Sequence, residues 1–253
     1  MSDNLEQGPE STLLSALAEF EIHDASPTIR PGMPMFVAFD GPEIAPQLTH
    51  TEIGVAANTL TMAEHTGTHI DAPFHFDPAG LTIDQVDPAT LLLRRYKKFD
   101  LTPDDPQPGM LVGVEALREA AHRGQFTLDP GDVALIEMGW DRFWTDQGEH
   151  THDFWGTNMP GLDDQACEYL VEAGVIAVGS DTAACDNALK DGEIVSALGH
   201  THWFLPRGIV IVEGLMGLSQ VPATGLIIAL PLRIAGGSGS PVRVLLLHRA
   251  SAG

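Results

Sequence analysis

The chain has 253 residues, of which 43% are hydrophobic, which is enough to bury a sizeable core in one large domain or two closely joined lobes. A formal charge of −22 gives the surface a negative field that repels polyanions, so we expect no nucleic-acid partner. The sequence has no apolar run of about 18 residues and no basic-then-apolar signal peptide at its N-terminus, so we expect a cytoplasmic protein with no membrane span.

The N-terminal part predicts a tail, a short helix and a loop. Residues 1–20 are expected to form a tail and a short helix capped by Ser11, and 21–253 a single domain. Prolines at 27, 31 and 34 exclude a helix there and predict an extended, turning loop. Residues 52–70 predict strand-like pieces.

The remaining chain alternates helical and strand patterns. Helical spacing is found at 114–124 and 162–175, and apolar strand patterns at 128–140, 175–181, 207–215, 225–234 and 241–249. The last three strands follow one another without helical crossovers. We therefore predict an α/β fold, with a mixed, strand-rich sheet and flanking helices in a single domain.

The densest cluster of chemically reactive side chains is HTGTHIDAPFHF at 65–76. On an extended chain, positions 65, 69, 71 and 75 share one face, whereas on a helix Asp71 would turn away from His65. Pro73 should end the strand because it cannot donate to a sheet ladder. The pattern predicts one face carrying three histidines and an aspartate.

Two of these histidines and the aspartate are suitable ligands for a divalent metal. His65, His69 and Asp71 offer imidazole and carboxylate groups, which suit Zn²⁺ or Mn²⁺. Three protein ligands leave room for a water molecule, whose pKa the metal lowers toward neutrality. The alternative is that the histidines are hydrogen-bonded in a polar turn without any metal.

The same segment is similar to the His-x-Gly-Thr-His-x-Asp-x-Pro-x-His signature of the metal-dependent cyclase family, which includes bacterial kynurenine formamidases and isatin hydrolases. The resemblance extends over nearly all of the chain after about residue 20 and implies a swivelling β/β/α-like domain. Further matching segments lie at 30–36, 130–140, 179–186, 207–215 and 229–247.

The resemblance also implies roles for individual residues. His65, His69 and Asp71 are expected to bind metal, and His75 to act as general acid/base. Glu213 is expected to bind a second metal with a later histidine twelve positions before it, where this chain has Thr201 between His200 and His202. We expect His202 to be that ligand, with one or two Mn²⁺ or Zn²⁺ ions per chain.

The implied activity is hydrolysis of an amide C–N bond by metal-activated water, in a small aryl formamide or a cyclic amide such as N-formylkynurenine or isatin. The alternatives are a metal-dependent lyase or isomerase acting on a small carbonyl compound, and a metal-binding protein without catalysis. His75 argues against the last, because a binding module needs no additional base. The resemblance also implies a homodimer or homotetramer, and the apolar, proline-rich segment 27–46 suits such an interface.

Other candidate sites receive simpler interpretations. His150 and His152 are expected to lie in a solvated or pocket-rimming loop near Trp144, Phe154 and Trp155, aromatic residues that either join the core or face a substrate. AGGSGS at 235–240 predicts a flexible turn, because it lacks the features of a phosphate-binding loop. LLLRRYKKF at 91–99 predicts a solvated strand or turn face. Cys167 and Cys185 are expected to be buried apolar residues.

Overall fold

The structure is a computed structural model that describes residues 8–145 and 153–249. Within these ranges nine strands form one large sheet. In chain order they are β1 (Phe20–Asp24), β2 (His69–Asp71), β3 (Leu92–Asp100), β4 (Val133–Glu137), β5 (Ala177–Ser180), β6 (Val210–Glu213), β7 (Thr224–Ala229), β8 (Gly239–Pro241) and β9 (Val244–Arg249).

The sheet is mixed, as the sequence predicts. Its spatial order is β1-β9-β7-β3-β4-β5-β6-β2-β8. Strands β3, β4, β5 and β6 are mutually parallel, and the other neighbouring pairs are antiparallel. The parallel strands β4, β5 and β6 are buried throughout, which accounts for their continuous apolar sequences.

Two helices cover one face of this sheet. Helix α2 (Val114–Arg123) connects β3 to β4 and helix α3 (Asp164–Glu172) connects β4 to β5. Both contribute to one hydrophobic cluster, which also contains the buried thiols of Cys167 and Cys185. A second cluster lies on the opposite face and includes Tyr96. The predicted burial of both cysteines is confirmed.

The N-terminal helix begins earlier than the sequence predicts. Helix α1 (Pro9–Leu17) is preceded by the N-cap Gly8, and its proline occupies an early position where no backbone donor is needed. Ser11 lies inside the helix and its hydroxyl donates to the Gly8 carbonyl oxygen. The prediction of a Ser11 cap is therefore wrong, because the proline starts the helix two residues upstream.

A two-stranded ribbon extends from the N-terminal half, with strands Glu43–Leu48 and Ala57–Thr61 joined through a short helix, His50–Ile53. Its residues are mostly exposed, including the apolar Ile53, Val55 and Leu60. Smaller elements are the paired strands Leu111–Val112 with Gly161–Leu162 and Leu189–Lys190 with Glu193–Ile194, and the helix Phe154–Thr157.

The basic run at 91–99 is not wholly solvated. Lys98 is buried in β3, where its Nζ donates to Glu137 Oε2 at 2.5 Å and to the Leu218 carbonyl oxygen at 2.8 Å. The solvated-face prediction is wrong for this residue, because an acidic partner on the adjacent strand β4 compensates the buried charge. Among the described residues, no helix has the length and apolar character needed to cross a membrane.

Candidate metal centre

The register of two antiparallel strands brings three predicted site residues together. His69 and Asp71 are two residues apart on β2 and so share a face, and Glu213 on β6 lies directly opposite His69. His69 Nε2 is 3.4 Å from Glu213 Oε2 and 3.5 Å from Asp71 Oδ1. All three side chains are buried.

A turn, rather than a strand, brings His65 to the same place. Gly67 has a φ of +64°, which bends the chain between His65 and β2. His65 Nδ1 then lies 2.7 Å from Asp71 Oδ1. The prediction of one extended face from 65 to 75 is therefore wrong over most of its length, although its four side chains do converge. Pro73 ends the strand as expected and begins a 3₁₀ turn, Pro73–His75.

The later histidine at this site is His200, and the expected choice of His202 is corrected. His200 Nε2 lies 3.2 Å from both Asp71 Oδ2 and Glu213 Oε1. His202 is exposed and packs edge-on against Trp203. His200 lies thirteen positions before Glu213, within a π-helical turn, Gly199–Trp203.

Asp186 explains why His200 points inward. Its Oδ2 accepts a hydrogen bond from the His200 backbone N–H at 2.9 Å, and its Oδ1 is hydrogen-bonded to His200 Nδ1. A side chain at Gly199 would meet the Asp186 carboxyl carbon at 2.6 Å, so the close approach requires glycine. Sequence reasoning missed Asp186, although it ends the GSDTAACD segment and Gly199 directly precedes His200.

The donor atoms form two groups that share Asp71. One consists of His65, His69 and Asp71, the other of Asp71, His200 and Glu213, and within each group the candidate ligand atoms lie within 4.8 Å of one another. Asp71 presents one oxygen to each group.

The hydrogen bonds on the outer side of the rings determine which nitrogens face this centre. His69 Nδ1 donates to the Gly67 carbonyl oxygen at 2.9 Å, so in neutral His69 the Nε2 lone pair faces the carboxylates. Asp186 has the same effect on His200. Lone pairs directed at carboxylate oxygens repel them unless a proton or a cation lies between. Metal-binding histidines usually donate the N–H of their other ring nitrogen to a carbonyl oxygen or a carboxylate, as here. The residues present therefore fit a divalent metal.

The electrostatics of the protein residues also favour positive charge here. Burial alone would raise the pKa of Asp71, but hydrogen bonds from His200 and His65 hold that pKa well below its usual range. Burial alone would lower the pKa of His200, but Asp186 and Glu213 raise it well above the ordinary value. The Asp71 carboxylate therefore remains charged and attracts either protons or cations.

His75 lies beside this centre without belonging to either donor group. Its ring centroid is 4.1 Å from that of His65, and neither ring nitrogen is hydrogen-bonded to another of the described residues. Burial lowers the pKa of His75, which keeps the imidazole neutral near pH 7. A neutral, half-buried histidine with free nitrogens is suited to accept and return a proton.

Two phenylalanine rings flank the histidines. Phe39, from the proline-rich segment, stacks on His65 with ring centroids 5.3 Å apart and planes inclined by 15°. Phe76 packs edge-on against His75 and His200, at 4.7 Å and 5.3 Å between centroids. The centre therefore has aromatic walls on two sides.

The remaining candidate residues and segments differ in where they lie relative to the metal centre. Trp155 is buried, and Trp144 and Phe154 pack against the same core cluster, so these aromatics belong to the core. His150 and His152 lie outside the described residues. The AGGSGS segment is not simply a flexible turn, since Ser238 Oγ lies 3.0 Å from His65 Nε2. The two glycines that flank Ser238 are the sequence feature that could have indicated this close contact.

A cavity of about 700 Å³ lies elsewhere, against Ile70, Ile83, Leu91, Val210 and Ala229. Ile70 lies between His69 and Asp71 on β2, so its side chain points to the opposite face of the sheet. This cavity is thus separated from the histidines by the sheet itself.

Comparison with known proteins places the chain in a family. The Cyclase family model matches residues 23–187, which include the HTGTHIDAPFHF segment. The chain belongs to the Cyclase family. The resemblance inferred from the sequence is confirmed.

Relatives within the Cyclase family include enzymes that hydrolyse amides. A kynurenine formamidase of Salinibacter ruber is 30% identical over 195 residues, covering 77% of this chain and 81% of the relative. An isatin hydrolase of Roseibium aggregatum is 29% identical over 202 residues, covering 76% and 74%.

Solved structures share the Cyclase fold over almost the whole chain. An isatin hydrolase bound to the product analogue thioisatinate superposes with a TM-score of 0.81 at 23% identity, covering 96% of this chain and all of the other. Isatin hydrolase A from Ralstonia solanacearum gives 0.77 at 25% identity, covering 95% and 97%. His200, Glu213 and Ser238 lie beyond the family-model match, so for them the site geometry is the direct evidence.

Proposed function

We propose that this chain is a metal-dependent hydrolase that cleaves the amide C–N bond of a small aryl formamide or cyclic amide. The observation that carries the proposal is the convergence of three imidazoles and two carboxylates, with Asp71 shared between two donor groups. The similarity to kynurenine formamidases and isatin hydrolases supports this class of reaction.

The proposed ligands divide into two sets. His65, His69 and Asp71 would hold one metal, and Asp71, His200 and Glu213 would hold a second, with nitrogen and oxygen donors that suit Mn²⁺ or Zn²⁺. Cys185 is close by, since its backbone N–H donates to Glu213 Oε1, but its thiol belongs to neither donor group. When bound, a metal of this kind polarises a carbonyl oxygen and lowers the pKa of a water molecule.

His75 supplies the proton transfers. Amide hydrolysis adds water across the C–N bond, so one proton must leave the attacking water and one must reach the departing nitrogen. A neutral His75 accepts the first and returns it to the nitrogen as the bond breaks. Its free ring nitrogens and lowered pKa suit that sequence.

The aromatic walls favour a planar substrate. Phe39 and Phe76 place ring faces and edges beside the proposed reaction centre, where an aryl group gains stacking and edge contacts. A ring-bearing formamide and a fused cyclic amide fit this description equally, so both substrate classes belong in the test.

We also propose that the chain works as a homodimer or a larger homo-oligomer. The exposed ribbon supports this, because an isolated two-stranded ribbon with apolar residues on its surface is marginally stable in water. A second copy of the chain packed on Ile53, Val55 and Leu60 would remove that exposure.

The decisive experiment is a metal and substrate screen. The protein is purified without added metal, its bound metal is counted, and aryl formamides, cyclic amides, lactones and imides are tested with Mn²⁺ and with Zn²⁺. Metal-dependent amide cleavage supports the proposal, and the preferred substrate separates formamidase from ring-opening activity. Metal binding without turnover of any amide would contradict it.

A further inference from the structure

We propose that Glu64 and Ser238 fix the ring orientation and tautomer of His65, so that its Nδ1 is the nitrogen presented to the metal. This rests on the proposed function, because it assigns positioning residues to one of the proposed ligands. The three groups form a chain of contacts in which Ser238 stands between Glu64 and His65.

The direction of each hydrogen bond follows from what each group can donate. Glu64 Oε2 accepts from the Ser238 backbone N–H at 2.9 Å and from its hydroxyl at 2.7 Å. The hydroxyl proton is thereby committed to the carboxylate, and Ser238 Oγ can offer only lone pairs to His65 Nε2 at 3.0 Å. His65 must then carry a proton on Nε2, so Nδ1 is the ring nitrogen that can face a cation beside Asp71.

Comparison with the other two histidines shows why Glu64 is needed. The outer nitrogens of His69 and His200 meet a carbonyl oxygen and a carboxylate, which can only accept. The outer nitrogen of His65 meets a hydroxyl, which can either donate or accept. Without Glu64 the Ser238 hydroxyl could donate to His65 Nε2 and move the ring proton to Nδ1, which would block that atom as a ligand.

The glycines around Ser238 make this approach possible. A side chain at Gly237 would come within 2.7 Å of Glu64 Oε1, and one at Gly239 within 2.7 Å of His65 Cε1. The segment is also anchored to β2, since the Ser238 carbonyl oxygen accepts from the Ala72 N–H at 2.9 Å and Gly239 pairs with Asp71. The two glycines therefore allow Ser238 to pack closely against Glu64 and His65.

Metal affinity and the ring tautomer test this inference. The affinity of each variant for Zn²⁺ is measured by competition with a chromophoric chelator, and the His65 tautomer by long-range ¹⁵N correlation spectra of histidine-labelled protein with and without zinc. Glu64→Ala and Ser238→Ala should each weaken binding by about 10–100-fold, the usual loss for such partners. Both should also lose the fixed proton on His65 Nε2 that the Ser238 hydroxyl accepts.

Two conservative variants and one control separate positioning from other effects. Glu64→Gln keeps an oxygen acceptor for Ser238 and Ser238→Thr keeps the hydroxyl, so both should stay within a few-fold of the wild type. Ser240→Ala removes a buried hydroxyl from the same segment that bonds Leu232 and Pro241 instead, and should leave affinity and tautomer unchanged.

Several outcomes would overturn the inference. Wild-type affinity and tautomer in both alanine variants would show that His65 is positioned by other contacts. A loss in Glu64→Gln as large as in Glu64→Ala would assign the effect to charge and not to hydrogen bonding. If the wild type binds no metal, the proposed function fails, whereas the presence of a fixed proton on His65 Nε2 in the metal-free protein still decides whether Glu64 and Ser238 control His65.

Discussion

His69 and Glu213 face each other across adjacent antiparallel strands, with His69 Nε2 3.4 Å from Glu213 Oε2. Sheet register alone fixes this pairing, because a slip of one residue would turn either side chain to the opposite face. His69 and Glu213 are separated by more than half of the chain, yet the paired strands hold them together in one centre. The predictions on metal content depend on this arrangement.

The first prediction concerns the two neighbouring histidines. His200→Ala should lower saturating metal from about two ions per chain to about one, because His200 closes the second donor group. His202→Ala removes an exposed imidazole and should leave the count unchanged. Elemental analysis of both variants beside the wild type makes the comparison. Equal counts in the two variants would remove His200 from the ligand set.

The second prediction separates metal binding from proton transfer. His75→Ala should retain the wild-type metal content and lose turnover by about 10²–10⁴-fold, the range expected for a general acid/base. Asp71→Ala is the contrasting variant and should lose both metal and activity, since its carboxylate serves both donor groups. If His75→Ala also loses its metal, the histidine is a ligand and not a proton carrier.

A third prediction concerns the buried ion pair between Lys98 and Glu137. Lys98→Met leaves a buried carboxylate without its partner and should cost about 3–5 kcal/mol of unfolding free energy. The double variant Lys98→Met with Glu137→Leu removes both charges and should recover much of that loss. Chemical denaturation of the two proteins measures the difference. An equally unstable double variant would mean that packing around the pair, and not the charge, dominates.

A fourth prediction concerns pH and a buried carboxyl group. Burial, with Asp141 nearby, raises the pKa of Asp181 from 3.8 to about 7 in the folded protein. The folded state therefore retains this proton between those pH values while the unfolded state releases it. The stabilising contribution is complete below pH 3.8 and is lost as the pH rises to about 7.

The test of Asp181 compares pH slopes. Asp181→Asn does not titrate. The unfolding free energy of the variant minus that of the wild type should therefore increase from pH 4 to pH 7, by roughly 4 kcal/mol at about 1.36 kcal/mol per pKa unit. Both proteins are measured in chelator so that metal release cannot contribute. A constant difference across this window would show that Asp181 stays ionised.

The fifth prediction concerns assembly. Light scattering of the wild type at micromolar concentration should give at least twice the chain mass. Ile53→Asp with Leu60→Asp should shift it toward the monomer, because both residues are exposed on the ribbon. Leu14→Asp on helix α1 changes a comparably exposed residue and serves as the control. A monomeric and fully active wild type would contradict the proposed oligomer.

Sequence patterns located the strands and helices well where burial is regular. The apolar runs of β4, β5 and β6 and the periodic helices α2 and α3 were all predicted, because each makes uniform contacts on one or two faces. The start of α1 was misplaced because Pro9 outweighed the polar cap signal of Ser11. Lys98 was misassigned because its partner Glu137 is adjacent only once the strands are paired.

The site was predictable to the extent that its residues are close in sequence. His65, His69, Asp71 and His75 converge as expected, although the turn at Gly67 replaces the extended chain. The choice between His200 and His202 depended on the contact with Asp186, which no local spacing encodes. Ser238 was missed for the same reason, since its role follows from two partners more than 170 positions away.

The two donor groups differ in how they relate to the unfolded chain. His65, His69 and Asp71 lie within seven consecutive residues, so an unfolded chain still holds these groups near one another and retains some affinity for metal. His200 and Glu213 approach Asp71 only when β6 pairs with β2. Because a ligand stabilises a fold by its preference for the folded over the unfolded state, metal at the second group should contribute more to thermal resistance than equally tight metal at the first.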